Sequence, residues 1–389
     1  MGWGGYTLLI YRKLYSIENN TSLTNIRVMK VRQLFLALVS LTLLSGCEMM
    51  KEDVDDTYCG IFVCFKYDYN LQRADMFRDH VGGVTLYVFD SDGNYIRSYE
   101  RNDVPNMGLM LYDGTYASCM QIDDLPKGDY RFLALANQRP YEETLQTPGA
   151  KYRRSELLPG DPSEKLTVTL DRYPLLGIPS PGIYSVDHTA PMDTLWHGMT
   201  GSEAIHVEPY GYNTTTISMV RDTKMLTIGL HNLDDPKNIS ADEFDVYILD
   251  NNGILAYNNE LLPDDELLYA PFHTWDTKSL DGYGTMTDKT AHFCLTFNRL
   301  VWHDKAEENA VLVIKNRSTE KEVAVINLTD FLSQGRNAYD QYAYSRQEYL
   351  DRSYDYYMDF FIKGDTWQYA DVRINVLSWA KRIQNVNLK

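Results

Sequence analysis

Short segments in which apolar and polar side chains alternate recur along most of the chain. In the segment VTLYVFD, Val84, Leu86 and Val88 fall on one face, and the residues between them fall on the other. Alternation with a period of two residues predicts a half-buried β-strand. The turn sequence SDGN at Ser91 to Asn94 separates this segment from YIRSY, so the two segments predict a β-hairpin.

Both halves of the chain repeat this pattern. Further predicted strands are YRFLALA from Tyr130, KLTVTL from Lys165, TTTISMV from Thr214, MLTIGL from Met225, FDVYIL from Phe244 and AVLVIK from Ala310. The sequence DNNG at Asp250 to Gly253 predicts a second hairpin turn. Residues 70–81 predict one short amphipathic helix.

These strands predict an all-β fold with two tandem β-sandwiches of about seven strands each and few short helices. The stretch from Leu175 to Pro209 is rich in Pro, Gly and His, and we expect the junction there. The predicted domains are residues 58–208 and 209–389. No helical repeat with a 34-residue period is visible, which argues against a helical nutrient-binding lipoprotein.

The segment before the first domain shows the features of a secretory signal peptide in their usual order. Lys30 and Arg32 form a short basic region, and an apolar run from Leu34 to Leu44 follows it. The run has about 11 residues, well short of the roughly 20 that a helix needs to cross a bilayer. Residues 29–46 therefore predict an export signal.

The signal peptide ends at a tetrad that resembles the bacterial lipobox. Leu44, Ser45 and Gly46 form the predicted cleavage site immediately before Cys47. A thiolate is the nucleophile that can accept a diacylglycerol group, so Cys47 is the predicted lipidation site and mature N-terminus. Several acyl chains on one residue anchor a protein stably, whereas a single chain binds reversibly.

The segments on either side of the signal peptide carry weaker signals. Residues 1–28 are polar and without apolar periodicity, and we expect them to be a mis-assigned extension ahead of a true start at Met29. Residues 47–57 predict an acidic tether, in which Lys51, Glu52 and Asp53 resemble the signal that sends some lipoproteins to the outer face of the outer membrane. The expected location is thus the outer membrane, facing the exterior. A solvated tether without a sorting role is the alternative.

Composition narrows the possible partners. The formal net charge is -17 and no basic cluster offsets it, which argues against nucleic acid as a partner. The chain is 44 % hydrophobic and contains 30 Tyr, which suits a strand-rich fold with a substantial core.

Four cysteines remain once Cys47 is assigned to lipid, namely Cys59, Cys64, Cys119 and Cys294. No CxxC pair or neighbouring histidine pattern is present, so a zinc site is not expected. An exported setting permits a disulfide, and Cys59 with Cys119 is the first candidate because both lie in the first domain. Free buried thiols are an equal alternative, since connectivity cannot be read from sequence.

Sequence motifs for catalysis are absent. There is no HExxH, no G-x-S-x-G and no glycine-rich phosphate loop. Asp90 and Asp92 lie in a segment that resembles a calcium loop only superficially, because further ligands are missing. His206 and Glu208 are more typical of surface polar residues than of metal ligands. We predict no enzyme activity, no metal and no cofactor.

Motifs in a fixed order cover nearly the whole chain after Cys47. After the lipobox come FKYDYNLQRADMF at Phe65, VTLYVFDSDG at Val84, DDLPKGDYRFLALAN at Asp123, LWHG at Leu195, VRDTKMLTIGL at Val220, LDNNGILAYNN at Leu249, RQEYLDR at Arg346 and INVLSWAKR at Ile374. Each motif alone is a weak strand-and-turn pattern. Their joint order is specific, and it resembles that of the FimB-type, or Mfa-like, fimbrial anchor lipoproteins of type V pili.

The resemblance implies two transthyretin-like sandwiches and a fimbrial subunit as partner. Such subunits join by strand exchange, in which a donor strand fills a groove in its neighbour. An anchor is expected to retain its own first strand, around Tyr58 to Tyr67 here, with Ile61, Val63 and Phe65 alternating. The donor-strand candidate is the C-terminal tail, with Ile383, Val386 and Leu388. Alternatively, that tail completes its own domain or frays.

Two other functions compete with the anchor. The chain could instead be a tip or stalk subunit of the same fold. A glycan-binding surface lipoprotein is the other alternative, because Tyr and Trp side chains can form stacking platforms, although most such aromatics are expected in the sandwich cores.

Overall fold

Most of the regular secondary structure in the described residues is β-strand. The computed structural model describes residues 59–110, 114, 116–175, 182–208, 212–337, 343–373 and 380–384. The strands before residue 222 are β1 (Cys59–Lys66), β2 (Gly83–Asp90), β3 (Tyr95–Arg101), β4 (Gly108–Met110), β5 (Tyr116–Leu125), β6 (Gly128–Asn137), β7 (Tyr152–Arg154), β8 (Thr167–Leu170), β9 (Tyr173–Pro174), β10 (Tyr184–Ser185), β11 (Leu195–Met199), β12 (Ile205–Val207), β13 (Tyr212–Ser218) and β14 (Val220–Arg221).

The remaining strands are β15 (Lys224–Asn232), β16 (Phe244–Asp250), β17 (Ile254–Ala256), β18 (Leu267–Tyr269), β19 (His273–Leu280), β20 (Met286–Phe297), β21 (Val311–Asn316), β22 (Glu322–Asn327), β23 (Asp355–Lys363), β24 (Thr366–Arg373) and β25 (Ala380–Gln384). The helices are short: α1 (Phe77–His80), α2 (Tyr141–Thr144), α3 (Leu328–Ser333) and α4 (Arg346–Arg352). Single 3-10 turns lie at Val104–Asn106, Ser163–Lys165, Ala241–Glu243 and Ala306–Glu308.

Four large sheets form two sandwiches. The N-terminal sandwich packs the sheet β13-β1-β5-β4 against the sheet β14-β11-β6-β2-β3, to which β12 is joined through β6. The C-terminal sandwich packs β22-β21-β16-β18-β10-β9 against β19-β20-β15-β23-β24-β25. A small fifth sheet, β17-β8-β7, combines strands from both halves of the sequence.

Alternation along β2 places its two faces in two different cores. Val84, Leu86 and Val88 lie in the core of the N-terminal sandwich, whereas Tyr87 and Phe89 lie in a core that they share with residues of the C-terminal sandwich. The β2–β3 hairpin predicted from the sequence is present. One sheet of the N-terminal sandwich is thus covered on both faces, and the described residues form one compact unit.

Strand pairing moves the boundary between the two sandwiches away from residue 208. Strand β13 begins after that position and pairs with β1, and β14 pairs with β11, so the N-terminal sandwich extends to Arg221. Strands β9 and β10 precede that position but join the sheet of the C-terminal sandwich through β18. The two sandwiches therefore exchange short segments and are not separated by a simple linker.

The second predicted hairpin is wrong. Strand β17 follows the DNNG turn but pairs with β8 and not with β16. Both edges of β16 are already paired, with β18 and β21. In the turn, Asn252 is fully buried and donates to the carbonyl oxygens of Asn298 and Arg299 at 3.3 and 3.0 Å. The Tyr269 hydroxyl donates to Asn252 Oδ1 at 2.5 Å. A buried amide needs hydrogen-bond partners. The chain around Asn252 therefore leaves the sheet of β16, and β17 pairs in another sheet.

The helix predicted for residues 70–81 is reduced to the single turn α1. Asn70 Nδ2 donates to the carbonyl oxygens of Tyr67 and Ala74 at 2.7 and 2.8 Å. Asp75 Oδ1 accepts from the backbone N–H groups of Tyr67 and Phe77. Short Asn and Asp side chains that bond to the nearby backbone favour turns over helix, so a loop replaces the first two predicted turns.

Candidate functional site

The first strand, β1, lies in the interior of a sheet. It runs parallel to β13 on one side and antiparallel to β5 on the other. Its pairing with β13 extends from Gly60 opposite Tyr212 to Lys66 opposite Ser218. The N–H of Met219 then donates to the Lys66 carbonyl oxygen at 2.8 Å. Both edges of β1 are therefore hydrogen-bonded to neighbouring strands along most of its length.

One face of β1 fills the core of the N-terminal sandwich. Ile61, Val63 and Phe65 are each 0 % exposed and belong to that core. The ring of Phe65 stacks on the ring of Phe77, with 5.5 Å between centroids. The sequence predicted these three residues as the alternating face of the first strand, and the structure gives them that position.

An aromatic cluster lies where β1 ends. The ring of Tyr67 meets the ring of Trp196 edge-on at 5.9 Å and lies 6.3 Å from the ring of Tyr354. The guanidinium of Arg221 lies 4.3 Å from the centroid of Tyr354 and 5.7 Å from that of Trp196. Burial raises the pKa of the Tyr67 hydroxyl, and Arg221 partly opposes that shift. Because Tyr354 directly precedes β23, this cluster also ties β1 to the C-terminal sandwich.

The opposite face of β1 carries a disulfide bond between Cys64 and Cys119. These residues are direct partners in the β1–β5 ladder. They form a small buried cluster with Ala117, apart from the main core. The bond therefore fastens β1 to β5 without displacing any core side chain.

The expected pairing of Cys59 with Cys119 is wrong. Cys59 lies at the other end of β1, opposite Leu125. Cys59 lies five positions before Cys64, the residue that faces Cys119, which is a span along the strand on the order of 16 Å. Bonded cysteines have Cα atoms within about 7 Å. Cys294 is a buried free cysteine. Knowing how β1 is aligned with β5 would have identified Cys64 as the partner of Cys119. The two cysteines are 55 residues apart, and the sequence carries no local signal for the alignment of strands so far apart.

Removing β1 would open a deep groove between β13 and β5. Burial of each large apolar side chain contributes roughly 1.5–3 kcal/mol, so Ile61, Val63 and Phe65 together contribute roughly 5–9 kcal/mol. That amount is comparable to the whole stability of a typical domain, about 5–15 kcal/mol. The two neighbouring strands would also expose unpaired edges, which readily pair with other chains. This position in the sheet therefore requires a strand.

The C-terminal donor candidates are only partly described. Ile383 lies in β25, an edge strand that pairs with β24, and its partner is Ala370. Val386 and Leu388 lie outside the described residues. Residues 380–384 therefore join their own sheet in this structure.

The predicted signal and anchor residues, Leu44, Ser45, Gly46, Cys47, Lys51, Glu52 and Asp53, also lie outside the described residues. Within the described part of the chain, no helix is long and apolar enough to cross a membrane. Among the same residues, no cluster of three or more His, Cys, Asp or Glu side chains could hold a metal ion.

Comparison with known proteins identifies the family. The family model of the fimbrillin-A associated anchor proteins Mfa1 and Mfa2 matches residues 54–385. The chain belongs to this family. The family expected from the ordered motifs is thus confirmed, and membership gives the protein a fimbria-associated role at the cell surface. No curated relative matches the sequence.

Solved structures share the fold. The fimbrial anchor protein Mfa2 from Porphyromonas gingivalis is 14 % identical with a TM-score of 0.55, over 83 % of this chain and 98 % of that one. A Bacteroides thetaiotaomicron protein provisionally described as polysaccharide-binding is 28 % identical with a TM-score of 0.62, over 84 % and 98 %. A protein from the same species that is provisionally described as an adhesin is 24 % identical with a TM-score of 0.65, over 84 % of this chain and 99 % of that one. The all-β sandwich fold predicted from alternation is confirmed.

Proposed function

We propose that the protein is a lipid-anchored outer-membrane lipoprotein that holds the base of a type V fimbria. The observation that carries this proposal is the disulfide between Cys64 and Cys119, which fastens the first strand to its neighbour. A subunit that must accept a donor strand in this position has to lose its own first strand. A covalent bond across the β1–β5 ladder opposes that loss, so the groove stays filled and this end of the fibre stops growing.

Contact with the next subunit then requires a strand from this chain or a different surface. We propose the C-terminal tail as the donor, with Ile383, Val386 and Leu388 as the residues that enter the pockets of the partner's groove. Main-chain hydrogen bonds would supply affinity, and alternate side chains would supply specificity. Ile383 lies in β25, which is at the edge of its sheet and pairs with β24. Release of β25 as a donor strand would therefore expose one edge, that of β24.

Attachment to the cell is proposed to occur through acylated Cys47, after cleavage behind Leu44, Ser45 and Gly46. Lys51, Glu52 and Asp53 are proposed to direct the protein to the outer face of the outer membrane. The role is mechanical and not catalytic, in keeping with the fimbrial anchor family.

Replacement of the acylated cysteine tests the anchor. Cys47→Ala should release the protein, together with attached fibres, into the culture medium, because the only proposed membrane contact is lost. Cys294→Ala is the matched control, since it removes a cysteine that is proposed neither to carry lipid nor to form a disulfide. Fractionation followed by immunoblotting measures the outcome. Retention of Cys47→Ala in the membrane fraction would contradict the lipid assignment.

The tip or stalk alternative predicts a different N-terminus. A stalk subunit would be trimmed after a basic residue such as Lys66 or Arg73, whereas an anchor keeps an acylated Cys47. Mass spectrometry of surface-extracted protein under non-reducing and reducing conditions distinguishes the two. Cleavage that also releases residues 47–66 from the surface protein would exclude the anchor role.

A further inference from the structure

The two sandwiches are joined through a short segment that contains a fully buried carboxyl group. Strand β14 ends at Arg221 and β15 begins at Lys224, and Asp222 lies between them. Asp222 is 0 % exposed, and its backbone N–H donates to the Leu195 carbonyl oxygen at 2.9 Å, which fastens it to β11 of the N-terminal sandwich. Asn259 lies in the segment between β17 and β18, and its Nδ2 donates to Asp222 Oδ1 at 2.9 Å. This contact therefore ties the junction to the segment that leads into the C-terminal sandwich.

The contact between these two side chains is incomplete. Asp222 Oδ2 and Asn259 Oδ1 are both buried, and neither has a hydrogen-bond partner among the described residues. Each is attached to the same carbon as one of the atoms in the existing hydrogen bond, so the two unpaired oxygens belong to one carboxyl–carboxamide contact. Buried acceptors normally have a donor, and two acceptors cannot satisfy each other. A single hydrogen atom between them would satisfy both.

The cations around the buried carboxyl group are bonded to other groups. Lys224 Nζ donates to the backbone carbonyl oxygens of Asp351 and Ser353 at 3.1 and 2.9 Å. Arg299 donates to both carboxylate oxygens of Asp351, at 2.8 and 2.9 Å. Within the described part of the chain, no Lys, Arg or His side chain forms an ion pair with Asp222. A neighbouring cation therefore does not supply the missing donor.

Burial and charge act on Asp222 in opposite directions. Burial raises the pKa of its carboxyl to about 6, and the charges of Arg299 and Lys224 limit this rise. Asp351 adds a like charge, which favours the protonated form. The Tyr152 hydroxyl also faces this carboxyl, and burial raises the pKa of that hydroxyl, so it stays neutral in the range where Asp222 titrates. Desolvation is thus the largest influence, and it favours a proton on Asp222.

The raised pKa determines the pH range in which folding and protonation of Asp222 are linked. An unfolded aspartate has a pKa of about 3.9. Between about pH 4 and about pH 6, the folded chain therefore holds a proton on Asp222 that the unfolded chain has released. The resulting stabilisation is fully present below about pH 4 and is lost as the pH rises through about 6.

We propose that Asp222 takes up a proton from solvent on mild acidification and donates it to Asn259 Oδ1, which closes a two-bond acid–amide pair across the junction of the sandwiches. The amide already donates to Asp222 Oδ1, so the closed pair has one hydrogen bond in each direction and no unpaired oxygen. Loss of the proton leaves one bond and two unpaired acceptors. The junction is therefore held more firmly at mildly acidic pH than at neutral pH. The acid–amide pair does not involve β1 or the C-terminal tail, so the proposal is independent of the anchoring role.

An isosteric replacement tests the acid–amide pair. Asp222→Asn keeps the shape of the side chain and supplies a permanent N–H donor to Asn259 Oδ1, so it imitates the protonated form at every pH. Urea unfolding of the full exported chain at pH 7.5 and pH 5.0 gives the unfolding equilibrium constant of each protein. Between these two pH values, the constant of the wild type should fall by roughly tenfold relative to that of the variant. At pH 7.5, the variant should be at least as stable as the wild type.

Asp351→Asn is the matched control. It removes a second buried carboxylate that faces Lys224, but this carboxylate acts as a charge, because both of its oxygens accept from Arg299. We expect Asp351→Asn to be less stable than the wild type at both pH values. His197, whose pKa is lowered to about 4 by burial, is retained in every variant, so its contribution cancels. A pH-dependent change of equal size in both variants would come from Lys224 and would overturn the proposal.

Two further measurements separate the proton from a general loss of stability. In wild-type protein with carbon-13-labelled aspartate, the carboxyl resonance of Asp222 should titrate with a midpoint near pH 6. Exchange of the two residues, Asp222→Asn with Asn259→Asp, should restore the pH dependence that Asp222→Asn lacks. Asn259 has a positive φ of 66°, which Asp also tolerates. A midpoint below pH 4.5, an Asp222→Asn variant less stable than the wild type at pH 7.5, or a double exchange without pH dependence would each overturn the proposal.

Discussion

The Cys64–Cys119 disulfide should contribute a large part of the free energy that keeps β1 in its sheet. Replacing both Cys64 and Cys119 by Ala removes the bond and leaves the strand ladder and the core face of β1 unchanged. The bonded residues are 55 apart in sequence, and the loop-closure model gives about 4 kcal/mol of stabilisation for a loop of that length. We expect the free energy of unfolding to fall by about that amount.

Urea unfolding of three samples measures this effect: the oxidised wild type, the wild type with reductant, and the double variant. Cys294→Ala is the control, because it removes the buried free cysteine. Reduction and double replacement should lower the free energy of unfolding by similar amounts. The Cys294→Ala control should lose no more of that free energy on reduction than the wild type does.

Limited trypsin cleavage in the loop between β1 and α1, where Arg73 has a positive φ of 55°, adds a direct readout. After cleavage, β1 should stay attached until reductant is added. A double variant within about 1 kcal/mol of the wild type would refute the reasoning.

Two further predictions concern pH and the C-terminal tail. His197 is buried, and its Nε2 lies 2.6 Å from the Tyr257 carbonyl oxygen; burial lowers its pKa to about 4. The unfolded chain therefore binds a proton near pH 6.5 that the folded chain does not accept until about pH 4, so stability falls as pH drops through that window, by about 3 kcal/mol at most. His197→Gln should lack this loss in urea unfolding measured at pH 7 and pH 4.5, and an unchanged pH dependence would contradict the assignment. Deleting residues 385–389 should leave thermal unfolding unchanged and reduce fibre retention on cells; full retention would place the donor strand elsewhere.

Alternation of side chains carried most of the predictable information about the fold. In β2, the sequence places Val84, Leu86 and Val88 on one face, and the structure buries them in one core and Tyr87 and Phe89 of the other face in a second core. Period-two patterns depend only on strand geometry, so they persist whatever the strand pairs with. The same local character explains why the β2–β3 hairpin could be predicted from its turn.

Pairing between distant strands could not be predicted in the same way. The β1–β13 ladder joins residues about 150 positions apart, and the choice of Cys64 over Cys59 follows only from the register of β1 against β5. The DNNG turn failed for a related reason. Its hydrogen-bond partners, such as Asn298, lie far along the chain, so a local turn signal was overridden by the need to satisfy a buried amide.

A depression around Gly229, on the face of the C-terminal sandwich that points away from its core, shows a further limit of sequence-based prediction. Its lining comes from β15, β19, β20 and β23, and no two of these strands are joined by a short turn except β19 and β20. From the sequence, the aromatic residues were expected mainly in the cores, and many are there. Trp275 and Tyr357 differ only in being on the outward register of their strands, which becomes visible once the sheet order is known.

The two faces of β1 serve two different functions. One face packs in the core, and the other face carries the disulfide. Ile61, Val63 and Phe65 face the core, and any strand with similar alternation could supply that packing. Cys64 faces outward, and only a strand with a cysteine in this register can form the bond to Cys119. A cysteine at position 63 or 65 would have replaced a core side chain, at a cost of roughly 1–3 kcal/mol or more. A single outward residue can therefore make an exchangeable strand permanent without changing the groove that it fills.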